Sequence, residues 1–158
     1  MDEEQEVAVK GDERSFRALG DRECRDRLQQ RSVARLAWQA ADGPLVLPVT
    51  YVWHDGTAVF RTSPYGVISE LIRPTDVALQ IDALDEQHRS GWSVLVQGRA
   101  EAVAEPADMA HLWTIDGLVP WAPGVRNLFI RVTPRRITGR VLLSRPPDAD
   151  PPGRWSST

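Results

Sequence analysis

The chain has 158 residues, 42% of them hydrophobic and 26% charged, which suits one soluble globular domain and leaves little room for two. Lys+Arg is 19 against Asp+Glu 22, a formal net charge of −3, so no basic excess points to nucleic acid or to an acidic membrane surface as a partner. The single cysteine, Cys24, excludes an internal disulfide framework and a cysteine-rich zinc site. With no apolar run near the ~20 residues of a membrane span and an acidic start, Met1 to Glu6, a cytoplasmic location is expected.

Residues 1–17 read as a mobile acidic arm, since they are polar and lack apolar periodicity. Asp21 can cap a helix running to Gln30, with Cys24 and Leu28 on its inner face at i,i+4 spacing. Cys24 there reads as a small buried hydrophobe. The period then changes to two. Val33, Arg35 and Ala37 alternate with Ala34, Leu36 and Trp38, a turn falls at Asp42-Gly43-Pro44, and Leu45 to Trp53 forms a strand in which Pro48 marks a bend or an edge. Asp55-Gly56 suits a tight hairpin turn into the strand Thr57 to Thr62. Pro64-Tyr65-Gly66 breaks that strand, and Val67 to Arg73 reads as a short helix.

Asp76 to Ala83 and Trp92 to Ala104 are the next strands, the second interrupted at Gly98. Pro106 opens a helix to about Ile115. Pro120 to Gly124 is a loop, and Leu128 to Val132 and Ile137 to Leu143 are strands around Thr133-Pro134-Arg135. Residues 145–158, with four prolines between Arg145 and Arg154, form an extended tail, so the folded body spans 18–144. Six or seven short strands without strand–helix alternation predict a small antiparallel barrel with appended helices.

The familiar catalytic signatures are missing. There is no glycine-rich phosphate loop, and Ser63 and Ser93 stand in no nucleophile elbow. His54, His88 and His111 are far apart with no helical i,i+4 partner, so no metal site is expected. Lys10 is the only lysine, which excludes a lysine phosphate clamp or Schiff base in the body of the domain.

Three segments carry a signal. Phe60-Arg61-Thr62-Ser63-Pro64 ends a strand before a helix, where a guanidinium, hydroxyls and free amides can bind a phosphate. The structural alternative is an ordinary strand end with Thr62 or Ser63 as a cap. Trp92 and Ser93, at the mouth of a strand, can face a planar ligand, or Trp92 can anchor the core. Pro120-Trp121-Ala122-Pro123-Gly124 is a rigid loop presenting an aromatic, as a ligand contact or as a packing latch.

Taken in order with Leu19, Glu23-Cys24, Val33 to Ala37, Leu47-Pro48-Val49, Asp82, Gly98-Arg99-Ala100 and Ile137-Thr138-Gly139-Arg140, these segments resemble the pyridoxamine 5'-phosphate oxidase-like family of flavin-binding split barrels. More narrowly, they resemble its members related to the nitroimidazole-resistance flavoproteins. The resemblance implies a mainly β fold, a six-stranded antiparallel split barrel of Greek-key type with short flanking helices. It also implies a homodimer with two equivalent clefts between the subunits.

FMN is the implied cofactor, its phosphate held by Arg61, Thr62 and Ser63, with Trp92, Ser93, Trp121 and Arg140 also near it. Val67 stands where many relatives place a phosphate-binding lysine, a contact worth ~1.5–3 kcal/mol, so arginine and hydroxyls are left to hold the anion. The expected activity is flavin-dependent oxidation or reduction of a small molecule. The alternatives are deazaflavin in the same cleft, a binding dimer without turnover, or a structural role with no cofactor.

Overall fold

The structure, a computed structural model, describes residues 15–120 and 124–143. Eight antiparallel strands form one sheet: β1 (Ser15–Ala18), β2 (Val33–Ala40), β3 (Gly43–Thr50), β4 (Val52–His54), β5 (Thr57–Thr62), β6 (Thr75–Asp85), β7 (Ser90–Ala102) and β8 (Leu128–Leu143). Helix α1 (Asp21–Gln30), a 3₁₀ segment (Val67–Ile72) and α2 (Pro106–Leu112) flank it. The strand order is β3-β2-β6-β7-β8-β5-β4, with β1 also paired to β8. Thus β3 and β4 lie at opposite ends of the ladder, yet only Tyr51 separates them in the chain. The sheet must curl until its two ends meet, and no ladder joins β3 to β5 across that seam. This is the expected split barrel. Its six longer strands are supplemented by the short β1 and β4.

The core follows from the period-two pattern. Ala34, Leu36 and Trp38 of β2 are buried with Leu79 and Ile81 of β6, Val94 and Val96 of β7, and Ala58 and Phe60 of β5. α1 lays Cys24 and Leu28 into one end of this core. Burial first, then the nearby Asp21 and Glu23 charges, pushes the Cys24 thiol above its usual value. A second, smaller core lies outside β5 and β8, where Val59 and Phe129 meet Val103, Leu112 and Leu118 under α2. β5 therefore lies between the two cores, with Ala58 and Phe60 in one and Val59 in the other.

Several expectations change in detail. Asp21 does not cap α1: it stands one residue inside the helix and pairs with Arg25 at 2.8 Å, while the Gly20 amide donates to the Glu23 carboxylate at 2.9 Å. The arm gives up residues 15–17 to β1, whose register runs from Ser15 opposite Leu143 to Ala18 opposite Arg140. Residues 1–14 and 144–158, including the expected tail, lie outside the described residues. The expected strand Leu45 to Trp53 is two strands, pairing in turn with β2 and β5 and divided at Tyr51. The Tyr51 amide donates to the Ser32 carbonyl at 2.9 Å and its hydroxyl to the Leu28 carbonyl at 2.6 Å. Pro44 and Pro48 sit on β3, an edge strand, where a missing amide costs no ladder bond.

The two expected C-terminal strands are one. β8 runs unbroken because the register shifts beside Gly98, which faces Pro134, while Gln97 faces Arg136. Arg135 is the extra residue of a bulge, the one place a central strand accepts proline. A Cβ on Gly98 would lie 2.2 Å from the Thr133 carbonyl oxygen, so the bulge requires glycine there. The hairpin at Asp55-Gly56 is as expected, with φ of 49° and 72°. The helix expected over 67–73 is 3₁₀. α2 ends at Leu112, and Thr114 and Ile115 close it with bonds to His111 and Leu112.

Candidate functional site

The seam leaves a cleft of about 370 Å³, within the ~300–1,000 Å³ span of small-molecule sites. Val33 from β2, Pro48, Val49 and Thr50 from β3, and Phe60, Arg61 and Thr62 from β5 form its walls. Ile68 of the 3₁₀ segment, Pro120 and Arg126 complete it. The 3₁₀ segment is fixed over the barrel mouth by burial of Leu71 and by a 3.2 Å hydrogen bond from the Trp38 indole to Glu70. Gly66, at φ 97°, allows the chain to turn from β5 into it.

The cleft is largely apolar but has a polar end with a definite sign. Arg61 and Arg126 line it and no carboxylate does. A second cleft, of about 260 Å³ between β7, α2 and β8, has the opposite character. Glu101, Glu105 and Asp108 line it, and Arg131 there is paired with Asp108 at 3.6 Å. An anion is favoured at the seam and repelled at the other cleft.

Apart from the Tyr51 phenol and the Trp38 indole, Thr62 is the one buried side chain with a polar group among the described residues, 2% exposed. Its hydroxyl makes no hydrogen bond to a described residue, although every fully buried side-chain nitrogen or oxygen has a partner. Thr62 also lines the cleft. A hydroxyl so placed is ready to donate to a ligand.

The other expected site residues are distributed as follows. Arg61 is half-buried and already engaged: its Nε donates to the Arg126 carbonyl at 2.9 Å and its Nη1 to the Leu118 carbonyl at 3.1 Å. The Ser63 hydroxyl accepts the Tyr65 amide at 3.2 Å and shapes the turn after β5. Trp92 is half-buried against the main core, with the guanidiniums of Arg27 and Arg31 at 4.4 and 5.1 Å from its ring. Ser93 and Arg140 face each other in the β7–β8 register, next to Asp82, which pairs with Arg35 at 2.9 Å. Trp121 lies outside the described residues.

Within one chain these residues form two groups. Thr62 is opposite Leu128, at the first residue of β8, whereas Ser93 is opposite Arg140, close to its last. The fold therefore places Arg61 and Thr62 of β5 in the cleft wall, beside the start of β8, and Trp92 and Ser93 of β7 with Arg140 near the end of β8.

Sequence reading missed Arg126, Ile68 and the apolar walls. Arg126 stands in a loop with no motif around it, and the walls look like ordinary strand residues. Trp113, whose ring lies 4.2 Å from the Arg61 guanidinium, was equally hidden.

Comparison with known proteins gives a consistent answer. Residues 20–141 match the family model described as pyridoxamine 5'-phosphate oxidase. An uncharacterised protein of Mycobacterium tuberculosis, Rv0080, is 30% identical over 115 residues, 70% of this chain and 74% of that one. Among solved structures, a Corynebacterium glutamicum protein provisionally assigned as a pyridoxamine 5'-phosphate oxidase superposes with a TM-score of 0.71 at 27% identity. The match covers 83% of this chain and 96% of that one. An FAD-binding protein from Mycobacterium smegmatis superposes with a TM-score of 0.65 at 27% identity, over 78% and 95% of the two chains.

Proposed function

Since the chain belongs to the pyridoxamine 5'-phosphate oxidase family, we propose that its seam cleft binds a flavin nucleotide, FMN, and that the protein is a flavin-dependent oxidoreductase acting on a small molecule. The observation that carries this reading is the Thr62 hydroxyl. Thr62 lies in the wall of a carboxylate-free cleft that Arg61 and Arg126 also line. The FAD-binding relative from M. smegmatis supports a flavin as the ligand.

The residues fit such a group. At the polar end Thr62 donates to a phosphate oxygen, and the Arg126 charge favours the anion. Val33, Val49, Phe60, Ile68 and Pro120 offer an apolar wall to a flat ring and exclude water from it. Bound there, the isoalloxazine ring would supply the redox chemistry, and the chain supplies binding, orientation and shielding. No described lining residue is a carboxylate, histidine, cysteine or lysine. The chain's task is thus to hold rather than to move protons.

We propose further that the site is shared between two copies of the chain. Trp92 and Ser93 of β7, with Arg140 near the end of β8, are too far along the sheet to reach the Thr62 cleft of their own chain, and a two-fold partner can bring them to it.

Fluorescence titration with FMN and FAD tests the reading. Wild-type protein quenches FMN emission saturably, and Thr62→Val weakens binding about 10-fold through loss of one hydrogen bond to a charged group. Equal affinity in the two proteins would remove Thr62 from the site. Binding of FAD in preference to FMN would reassign the cleft to the dinucleotide.

A further inference from the structure

The arginine that looks, from sequence, like the phosphate ligand has its side chain committed elsewhere. Phe60 and Thr62 are buried on one face of β5, so Arg61 between them leaves on the other. There it meets three segments at once. Its Nε and Nη1 donate to the carbonyls of Arg126 and Leu118, and its guanidinium lies 4.2 Å from the Trp113 ring and 5.8 Å from Phe129. Only a planar fork can serve two carbonyls while one face stacks on an indole. To turn toward a ligand, Arg61 would have to release both carbonyls and unstack from Trp113.

What Arg61 holds also matters to the cleft. Leu118 precedes the cleft residue Pro120 by two positions, and the second carbonyl belongs to Arg126, another cleft residue. We propose that Arg61 is a positioning residue. It sets the backbone of Leu118 and Arg126, and so the places of Pro120 and the Arg126 side chain, and it is not itself the ionic contact to the ligand. The inference rests on the reading of the cleft as a flavin site. Within that reading it moves the direct contact from Arg61 to Thr62 and Arg126.

The test uses Arg61→Lys, Arg61→Gln and Thr62→Val in the full chain. FMN affinity is measured at two ionic strengths, and amide hydrogen exchange is followed at Leu118, Val119 and Val125. Lysine keeps the charge but lacks the fork. Arg61→Lys and Arg61→Gln should therefore lose about tenfold in affinity alike, keep the wild-type salt dependence, and exchange faster at those amides. Thr62→Val should lose affinity with exchange unchanged.

The inference is overturned if Arg61→Lys binds as tightly as wild type while Arg61→Gln loses both affinity and salt dependence. Should Arg61→Gln fail to fold, the lysine variant alone decides between the two. If wild-type protein takes up no FMN, the flavin reading fails, and the exchange data still judge the strut. Unchanged amide exchange in Arg61→Lys would then overturn it.

Discussion

Tyr51 and Thr62 both carry a hydroxyl into the barrel, and they use it in opposite ways. Tyr51 donates to the Leu28 carbonyl at 2.6 Å, one of the last four carbonyls of α1, which have no partner within the helix. Tyr51→Phe should cost about 1–3 kcal/mol in denaturant unfolding by leaving that carbonyl unsatisfied. Burial also pushes the Tyr51 phenol above its ordinary value of 10. The folded state then holds this proton more tightly than the unfolded state. The stability it contributes is full below pH 10 and falls as pH rises beyond it. In Tyr51→Phe that part of the alkaline slope should disappear, and an unchanged slope would contradict the assignment. Thr62 instead lies in the cleft wall, where the proposed ligand would meet its hydroxyl. Beside it in the chain, Val67 is 48% exposed and adjoins the cleft residue Ile68. Val67→Lys should tighten FMN binding by about 10-fold, the worth of one charge-assisted contact, and unchanged affinity would place residue 67 away from the phosphate. At this scale the strand end at Thr62, and with it the place of Thr62 in the cleft wall, was legible from the Thr-Ser-Pro break. The engagement of Arg61 was not, since its carbonyl partners lie 57 and 65 residues along the chain.

Strand β8 shows how much an element depends on its neighbours. Thr133-Pro134-Arg135 carries a local break signal, and a single-sequence reading divides the segment there. Pairing to β7 overrides that signal, because a bulge beside Gly98 accommodates proline in a central strand. Gly98→Ala would bring a Cβ to 2.2 Å from a backbone oxygen that cannot move aside without breaking the ladder. It should cost at least ~1–3 kcal/mol, a fall of several degrees in the thermal midpoint for a domain of this size. A variant that melts with wild type would show that the bulge relaxes freely. Periodicity made β2, β5, β6 and β7 legible, because alternate burial leaves a mark in the sequence. The division at Tyr51 left none, since it is made by the change of partner from β2 to β5 and by the side-chain bond to Leu28.

For the whole molecule, the decisive feature is the seam. One residue between the two ends of the ladder forces closure, and closure without a ladder between β3 and β5 leaves a cleft at the seam. The family resemblance in the sequence already implied this architecture. The separation of the expected site residues into two groups, beside opposite ends of β8, could be seen only in three dimensions. A shared site predicts that light scattering on the flavin-loaded protein gives the mass of two chains with two flavins bound. A monomer that binds flavin at full affinity would contradict it. The central claim meets its most direct test in a crystal structure of the chain grown with FMN. The account predicts a phosphate oxygen at ~2.7 Å from the Thr62 hydroxyl, with the ring against Val49, Phe60 and Ile68. A flavin lodged elsewhere, or a seam closed by the chain's own side chains, would contradict it.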